Sequence, residues 1–293
     1  MRIVFIGAVE FSLRALERLV EMNAEIVGVC TLQESKFNAD HVDLSSFSVM
    51  HGIPVFYADD INSTETLSWI QDKSPDIIFC FGWSRLIKQD LLGLTSLGVI
   101  GFHPTALPAN RGRHPIIWAL VLGLKKTAST FFFMDAGADS GDILSQQEIS
   151  ITDQDDAGTL YDKVVETALV QIAEFLPQLT TGKFERIKQD GQVANTWRKR
   201  GSRDGKIDWR MSAQSIHNLV RGLTRPYIGA HFLVEGKEIK VWKTAIVMDA
   251  DNNIEPGKVL LQSSSEIFVK CGQGTISLLV TEPVFEPSIG SYL

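Results

Sequence analysis

Residues 98–143 read GVIGFHPTALPANRGRHPIIWALVLGLKKTASTFFFMDAGADSGDI. Two apolar runs in this stretch, 99–102 and 128–134, are typical of neighbouring strands buried inside a sheet. His103 follows the first run directly, and Asp139 lies in the Gly/Ala/Ser-rich turn after the second. Because ligands bind at the carboxyl edge of an open α/β sheet, we expect the two side chains to meet at that edge. A histidine and a carboxylate brought together there form a proton-transfer pair.

The same alternation of strands and helices extends back to the amino terminus. The segment after Ile6 reads GAVEFS and has one glycine, so the GxGxxG fingerprint is absent and neither NAD nor FAD is expected. The rhythm is typical of a doubly wound, mostly parallel, Rossmann-like α/β sheet. It predicts strands at 2–6, 25–31, 53–56 and 77–81, with helices after Gly7 and near 42–51, 64–71, 86–92 and 112–123.

The carboxyl-terminal part of the chain changes its period. An amphipathic helix is predicted from about Thr159 to Pro177, and the polar segment that follows contains glycine and is locally basic. From Ala230 onward, short runs of alternating apolar and polar residues indicate a small antiparallel β-barrel of OB-like type. We therefore predict an amino-terminal α/β domain at 1–181, a connector at 182–202 and a β-rich domain at 203–293.

Composition and charge limit the classes of partner. The chain has 293 residues, is 44% hydrophobic and carries a formal charge of −7. This balance argues against nucleic acid as the main partner, because such binding needs a basic face. The Arg-Lys-Arg run at 198–200 fits either a solvated surface or a phosphate contact. The amino-terminal apolar run is too short to span a bilayer, so we expect a cytoplasmic protein with no membrane partner.

The cysteines and histidines form no metal-binding pattern. Cys30, Cys80 and Cys271 are scattered and lie mostly in strand-like apolar runs, so we interpret them as buried thiols in a reducing compartment. Neither CxxC nor HExxH occurs in the sequence. No metal is expected.

Two motifs carry a resemblance to a known family. The stretch FHPTALPANRGRHP (102–115), followed by GADSGDI (137–143), resembles the formyltransferases that use 10-formyltetrahydrofolate. That family includes methionyl-tRNA formyltransferase and the nucleotide-sugar N-formyltransferases. Similar spacing recurs in MRIVFIGAVEFSLRAL at the amino terminus, FGWSRLI at 81–87 and DWRMSAQSIHNLVRGLTRPYIGAHF at 208–232. The resemblance therefore covers nearly the whole chain.

The resemblance implies an N-formyltransferase with 10-formyltetrahydrofolate as co-substrate. His103 and Asp139 correspond to the family's catalytic His and Asp, and the motif spacing selects Asp139 over the rival carboxylate of Asp142. The implied donor-binding positions are Trp83, Arg85, Leu86, Ile87, Ala136, Gly137, Ala138 and Ser140. The implied amine-binding positions are Ala8, Phe11, Thr105, Pro108, Arg111, Gly112 and Arg113, where the arginines either hold an anion or brace the loop.

Gly101 is the main departure from the family pattern. The family's Asn-x-His corresponds here to Gly101-Phe102-His103, so there is no side-chain amide to polarise the formyl oxygen. The loss of one preplaced oxyanion donor costs about 2.7–4 kcal/mol in a protease. A backbone N–H near 101–103, the Thr105 hydroxyl, protonated His103 or a water beside Gly101 would have to replace it. We favour His103 together with a backbone or water donor.

The charge distribution favours a small amine as the acceptor. An initiator tRNA substrate would predict a basic loop at 31–48 and a basic second domain. Lys36 is the only Lys or Arg in that loop, and residues 203–293 contain 10 Lys or Arg against 10 Asp or Glu. Counterion release on binding phosphates would therefore be weak.

We predict that the acceptor is a nucleotide-linked or nonulosonic amino sugar used in surface-glycan biosynthesis. The alternatives are methionyl-tRNA formylation, hydrolysis of the formyl-folate, and a catalytically impaired protein that binds folate or a sugar nucleotide. A homodimer is left open.

Overall fold

A computed structural model describes residues 1–35, 40–247, 253–263 and 266–293. Lys36, on which the charge argument for the 31–48 loop depends, lies outside the described residues. The chain forms two compact units whose segments are interleaved in sequence. The first unit comprises Met1–Gly112, Thr127–Ile149 and Lys163–Trp197, and the second comprises Arg113–Lys126, Ser150–Asp162 and Arg198–Leu293. The predicted domain bounds at 181 and 203 remain a prediction.

The elements up to residue 103 alternate as the sequence predicts, whereas the strands at 111–112, 143–150 and 196–197 were not predicted. The strands are β1 (Arg2–Ile6), β2 (Glu25–Thr31), β3 (Val55–Tyr57), β4 (Ile77–Cys80), β5 (Val99–His103), β6 (Arg111–Gly112), β7 (Lys126–Phe133), β8 (Ile143–Ser150) and β9 (Thr196–Trp197). The helices are α1 (Glu10–Glu21), α2 (Ser45–Met50), α3 (Thr64–Asp72), α4 (Gln89–Leu92), α5 (Pro115–Val121) and α6 (Ala157–Thr181).

The elements after residue 197 are one helix and five strands, preceded by a 3₁₀ turn at Ser202–Gly205. A second 3₁₀ turn lies earlier, at Gly191–Val193. The helix and strands are α7 (Ala213–Leu223), β10 (Ala230–Val234), β11 (Lys237–Val247), β12 (Val259–Gln262), β13 (Ile267–Lys270) and β14 (Thr275–Glu282).

The main sheet has seven strands in the order β3-β2-β1-β4-β5-β7-β8. The four pairings among strands β1 to β5 are all parallel, which confirms the mostly parallel α/β sheet. The chain progresses outward from β1 to β3 and then returns to β4 on the other side of β1. The order therefore reverses between β1 and β4, and ligands of open α/β sheets bind at the carboxyl edge beside such a reversal.

The direction of β7 differs from the expectation. Strands β5 and β7 are neighbours, but they run antiparallel, with His103 opposite Thr130 and Ile100 opposite Phe133. Their carboxyl ends consequently lie at opposite edges of the sheet, and the prediction of a shared carboxyl edge is wrong. Apolar periodicity indicates that a strand is buried, but it does not encode which way the strand runs.

Helix α1 packs one apolar stripe into the core of the first unit. The side chains of Phe11, Ala15, Leu16 and Leu19 are buried as predicted, whereas Val20 is half-buried. Helix α6 departs from prediction, because Pro177 does not end it and the helix continues to Thr181. A proline removes only one backbone donor, and Leu179 beyond it is still buried, so packing holds the last turn.

The second unit is built on a five-stranded antiparallel sheet in the order β10-β11-β14-β13-β12. The predicted antiparallel pairing is confirmed, whereas an OB-like barrel stays a prediction, because β10 and β12 are the two edges of the sheet among the described residues. Helix α7 begins at its cap Ser212, whose hydroxyl accepts a hydrogen bond from Ser215 N at 3.0 Å. Gly222 lets α7 approach α5 closely, since a Cβ there would lie 3.2 Å from Val121 Cγ2.

The remaining general predictions concern cysteines, metals and membranes. All three cysteines are free and buried, and burial raises the pKa of the Cys80 thiol to about 12. In the part of the chain that the structure describes, His, Cys, Asp and Glu side chains do not assemble into a group of three able to hold a metal ion. Over the same residues, every helix is too short or too polar to span a bilayer.

Candidate functional site

His103 and Asp139 lie beside each other in the first unit. His103 is the last residue of β5, and its Nδ1 atom is 3.8 Å from Asp139 Oδ2. The imidazole is almost fully buried, whereas the Asp139 side chain is 23% exposed, so Asp139 is the more solvent-accessible member of the pair. The distance is too long for a direct hydrogen bond.

The other ring nitrogen of His103 identifies the tautomer. Nε2 lies 2.9 Å from the backbone carbonyl oxygen of Asn110. A carbonyl can only accept, so Nε2 carries the proton in the neutral ring and donates it to Asn110 O. The lone pair is then on Nδ1, which faces the Asp139 carboxylate. The pair therefore presents a proton acceptor and a negative charge to the same small space.

Asp139 reaches this position because the turn at 134–142 folds back from the far edge of the sheet. Met134 N donates to Val99 O at 2.7 Å, at the amino end of β5, whereas His103 is at the carboxyl end. Asp135 braces the turn from inside, because its Oδ1 accepts hydrogen bonds from Gly137 N at 3.0 Å and Ser140 Oγ at 2.7 Å. Asp139 itself has φ +53, a left-handed conformation that aspartate tolerates better than most residues.

The Asp139 carboxylate is held by the backbone of β6. Its Oδ2 accepts a hydrogen bond from Gly112 N at 2.9 Å. Gly112 has φ +102, and a Cβ there would lie 2.3 Å from Trp197 O on the paired strand β9. Glycine is therefore required at this position, and its N–H becomes the donor that orients Asp139.

Two residues of the predicted connector, Gln189 and Asn195, belong to this site, although no sequence motif marks them. Asn195 holds the 103–112 loop, accepting from Asn110 N through its Oδ1 at 2.8 Å and from Arg111 N through its backbone oxygen at 3.0 Å. Gln189 contacts both Arg111 and the backbone of Asp139. The only sequence signal was the presence of amide side chains in a polar segment, which does not distinguish a site from a surface.

The interior of the 103–112 loop is supported by buried hydroxyls. Thr105 is fully buried, and its Oγ1 donates to Ala109 O at 3.1 Å. Thr130 Oγ1 donates to Thr105 O at 2.6 Å, and Gln146 Nε2 donates to Leu107 O at 2.9 Å. The predicted roles of Thr105 as an amine contact and oxyanion donor are therefore contradicted, since its hydroxyl is committed to the loop itself.

The space beside Gly101 is filled by apolar side chains. A Cβ built on Gly101 would lie 2.9 Å from Met134 Cγ and 3.0 Å from Phe132 Cζ. The hypothesis of a water in this space is therefore wrong. The neighbouring Leu107 and Ile143 form one apolar cluster with Phe132 and Met134, so this side of the site also lacks a polar surface to hold water.

The predicted donor positions after β4 lie on the 82–88 loop. Leu86 is 73% exposed, whereas Ile87 is buried in the core. The loop is fastened by Asn62, whose Nδ2 donates to Leu86 O at 2.9 Å and whose Oδ1 accepts from Lys88 N at 2.7 Å. The Arg85 guanidinium donates to Asp59 O, so Arg85 braces the loop.

Trp83 is the unusual member of the 82–88 loop. Its ring packs on the core cluster formed by strands β1 and β4, among others. Its indole Nε1 is buried and has no hydrogen-bond partner among the described residues. Because a buried N–H without an acceptor is costly, such a group is typical of a site that a ligand completes.

The other predicted contacts divide into exposed and buried residues. In the 134–142 turn, Ala136, Gly137 and Ala138 are exposed and Ser140 is half-buried, so they remain available to a ligand. Pro108, Arg111 and Gly112 are half-buried. Ala8 and Phe11 are buried in the core, with the Phe11 ring centroid 4.3 Å from that of Phe102. The contact of Ala8 and Phe11 with substrate stays a prediction.

Arg113 belongs to the second unit, where it joins a basic cluster around Trp118. Burial lowers the pKa of His114, and the neighbouring cations of Arg113, Arg200 and Lys199 lower it further. The Arg200 guanidinium lies 4.6 Å from the Trp118 ring centroid. The Arg198 guanidinium forms an ion pair with Asp204. Arg198 and Arg200 of the Arg-Lys-Arg run are thus engaged within their own unit.

Comparison with known proteins identifies the family to which this fold and its His–Asp pair belong. Residues 1–175 match the family model described as formyl transferase, and residues 201–284 match the model of the formyl transferase C-terminal domain. The chain belongs to the formyltransferase family, and it is an N-formyltransferase.

Individual relatives agree with this assignment. The chain is 32% identical over 284 residues to methionyl-tRNA formyltransferase of Caldanaerobacter subterraneus subsp. tengcongensis, covering 95% of this chain and 91% of the relative. Among solved structures, the sugar 3N-formyl transferase WlaRD, crystallised with dTDP and 5-N-formyl-THF, matches with a TM-score of 0.73 at 17% identity, over 97% of this chain and 99% of that one.

A second solved structure has the same fold. The N-formyltransferase from Helicobacter canadensis, in complex with folinic acid and dTDP-3-aminofucose, matches with a TM-score of 0.71 at 15% identity. The match covers 94% of this chain and 98% of the other. The expected formyl donor, 10-formyltetrahydrofolate, agrees with the family.

Proposed function

We propose that this protein transfers the formyl group of 10-formyltetrahydrofolate to the amine of a small molecule, and that the acceptor is a nucleotide-linked or nonulosonic amino sugar. The observation that carries the chemistry is the arrangement of His103 and Asp139. Their facing atoms are 3.8 Å apart, so an amine nitrogen lying off the line between them can stand about 2.9 Å from both. The amine nitrogen can thereby contact Nδ1 of His103, which accepts its proton, and the negatively charged carboxylate of Asp139 at the same time.

His103 acts as the proton acceptor in this proposal. The amine attacks the formyl carbon, its nitrogen becomes positively charged, and it passes a proton to Nδ1 of His103. The bond between the formyl carbon and N10 of the folate then breaks, and N10 takes up that proton from His103 as tetrahydrofolate leaves. Asp139 orients the amine by accepting one of its N–H groups and then stabilises the imidazolium electrostatically. Asn110 O keeps the ring in the tautomer that can accept. General base catalysis of this kind contributes about 10²–10⁴-fold.

The formyl donor would bind at the 82–88 loop and the 134–142 turn. The folate supplies the activated formyl group. The orphaned Trp83 Nε1 would donate a hydrogen bond to it, and the exposed residues of the 134–142 turn and the 82–88 loop would contact its ring system. Ile87 and Arg85 would support the loop from behind, since one is buried and the other is bonded to Asp59 O.

The closed space beside Gly101 narrows the choice of oxyanion donor. Neither the Thr105 hydroxyl nor a water beside Gly101 is available. In β5, Ile100 and Gly101 are paired on both sides, whereas Phe102 and His103 are paired with β7 alone. We therefore assign the stabilisation of the oxyanion to a backbone N–H at 102–103, together with His103 once it has accepted the amine proton and is an imidazolium.

The charge distribution of the chain favours a small amino sugar over a nucleic acid as the acceptor. The net charge of −7, and the equal numbers of cationic and anionic residues in 203–293, provide little attraction for a polyanion. The half-buried Arg111 lies beside Gly112 in the same unit as the catalytic pair. Its guanidinium is suited to a diphosphate or a sugar carboxylate.

Methionyl-tRNA formylation is the second candidate, because one observation favours it. The 32% identity to a methionyl-tRNA formyltransferase extends over 95% of the chain. In that case the exposed Arg113 and Lys199 would contact the nucleic acid. Such contacts predict a steep loss of affinity with added salt.

One experiment separates the candidates. The full chain is incubated with 10-formyltetrahydrofolate and a panel of dTDP-, UDP- and CMP-linked amino sugars, free nonulosonic amines, and methionyl-tRNA, and the conversion of the folate is followed by absorbance. We expect turnover with at least one amino sugar and none with methionyl-tRNA. Turnover confined to methionyl-tRNA overturns the acceptor, and formate release without any acceptor overturns the transfer.

A further inference from the structure

Gln189 joins the two segments that hold the catalytic pair. Its Nε2 donates to the backbone oxygens of Asp139 at 2.9 Å and Gly141 at 2.7 Å. Its Oε1 accepts from Arg111 Nε at 3.2 Å and Nη2 at 2.7 Å. Both amide hydrogens and both lone pairs of the oxygen are used. The reverse orientation would set the NH₂ group against the guanidinium, so the amide can lie only this way round.

The bonds form a closed circuit around Asp139. Arg111 is followed by Gly112, whose N–H donates to Asp139 Oδ2 at 2.9 Å. Gln189 connects the Arg111 side chain back to the backbone of the same aspartate. The main chain and the carboxylate of Asp139 are thus fixed from two sides, and Gly141 is fixed two residues further on.

The circuit is needed because Asp139 is in an unfavourable backbone conformation. The residue has φ +53 in a turn whose neighbours Ala136 to Ala138 are exposed. A left-handed non-glycine residue persists where the surrounding structure over-determines it. The two hydrogen bonds from Gln189 supply that constraint on either side of Ser140.

We infer that Gln189 is a positioning residue for formyl transfer, acting through Asp139 to set the distance between its carboxylate and His103 Nδ1. The inference rests on the proposed roles of that pair. Gln189 touches none of the reacting atoms, since its amide is occupied by Arg111 and two backbone carbonyls. Removing it should therefore lower kcat and leave the KM for the formyl donor nearly unchanged.

Two substitutions separate the two halves of the amide. Gln189→Leu removes all four hydrogen bonds, whereas Gln189→Glu keeps an acceptor for Arg111 and removes the donors to Asp139 and Gly141. Both variants lose the two hydrogen bonds to the backbone of Asp139 and Gly141. We therefore expect each to lower kcat by about 10- to 30-fold. Wild-type kcat in Gln189→Glu would overturn the inference. Gln192→Leu, an exposed glutamine three residues away, is the matched control and should leave kcat unchanged.

A double-mutant cycle tests whether Gln189 acts through Asp139. In an Asp139→Asn background, Gln189→Leu should lower kcat by less than about 2-fold, because residues that act together are non-additive. A full additional loss in that background overturns the inference in favour of a general structural role.

Amide hydrogen exchange provides a readout that does not depend on activity. We expect Gln189→Leu to speed exchange at the Gly112 N–H by at least about 10-fold, since the Asp139 carboxylate that protects it becomes mobile. Unchanged protection of Gly112 overturns the positioning role even if no acceptor amine is found. Normal turnover of Asp139→Asn would instead overturn the proposed function, so the two failures are distinguishable.

Discussion

The 103–112 loop and the 82–88 loop follow neighbouring strands, yet they are built differently. In the first, the polar groups are hydrogen-bonded within the protein: the buried hydroxyl of Thr105 to Ala109, that of Thr130 to Thr105, and the amide of the exposed Gln146 to Leu107. In the second, Leu86 is 73% exposed and the buried Trp83 Nε1 has no partner among the described residues. The first loop is complete before any substrate arrives, whereas the second offers a donor that a ligand must satisfy.

This difference separates two kinds of kinetic effect. Substitutions that touch the preformed loop and its partner Asp139 should act on kcat, because the geometry they disturb is that of the chemical step. Substitutions in the 82–88 loop should act on the KM for the formyl donor, because they remove binding that is made in the ground state as well as in the transition state.

The largest effect is expected for His103→Ala. Loss of the proton acceptor should lower kcat by at least about 10²-fold, with the KM for the folate within about 3-fold of wild type. Steady-state kinetics with the amine acceptor measure both quantities. The exposed His51→Ala is the control. If His103→Ala retains normal turnover while circular dichroism reports an intact fold, the assignment of the base is wrong.

Asp139→Asn should come next, with a loss of about 10² in kcat, in line with general acid–base contributions. Asparagine tolerates the left-handed backbone, so the substitution removes charge and adds little strain. Asp142→Asn is the matched control, since this rival carboxylate lies in the same turn and is half-buried. An equal loss in both variants would mean that charge in the turn matters and the contact with His103 does not.

Trp83→Phe should have a smaller effect, and it should act on the KM for the formyl donor. An aromatic ring remains but the indole N–H is lost, so one hydrogen bond to the folate disappears. We expect the KM for the formyl donor to rise by about 5-fold. The kcat and the KM for the amine should stay within about 2-fold. Fluorescence titration with tetrahydrofolate measures the same loss at equilibrium, and an unchanged affinity would remove Trp83 from the donor site.

The smallest effect on turnover is expected for Gly101→Asn. The new side chain meets Met134 and Phe132, whose atoms already lie within 3.0 Å of a Cβ at this position. Overpacking should lower the free energy of unfolding by about 1–3 kcal/mol and leave kcat no higher than in wild type. Urea denaturation measures the first quantity. A gain of 10-fold or more in kcat would show that the missing amide still limits the reaction.

Much of the site could be predicted from local pattern. The buried runs before His103 and Asp139 marked where each would lie along the chain, and the Gly-rich composition of the second stretch indicated a turn. The contact of Phe11 with Phe102 and the burial of Thr105 could not be predicted, because the first depends on packing against a distant residue and the second on the hydrogen bond of Thr105 within its loop.

The sequence by itself determined the alternation of strands and helices, the change to a two-residue period after Ala230, and the positions of His103 and Asp139 in segments that end or follow strands. These properties depend on neighbours within one turn or one strand. Burial of one face makes apolar residues recur with the period of the element, so the local sequence pattern predicts them. Tertiary structure alone decided the antiparallel direction of β7, the filling of the space beside Gly101, and the recruitment of Gln189 and Asn195. Gln189 is 50 residues from Asp139, and Asn195 is 85 from Asn110. Hydrogen bonds over such separations leave no periodic trace, because they form only when the whole sheet has brought the segments together.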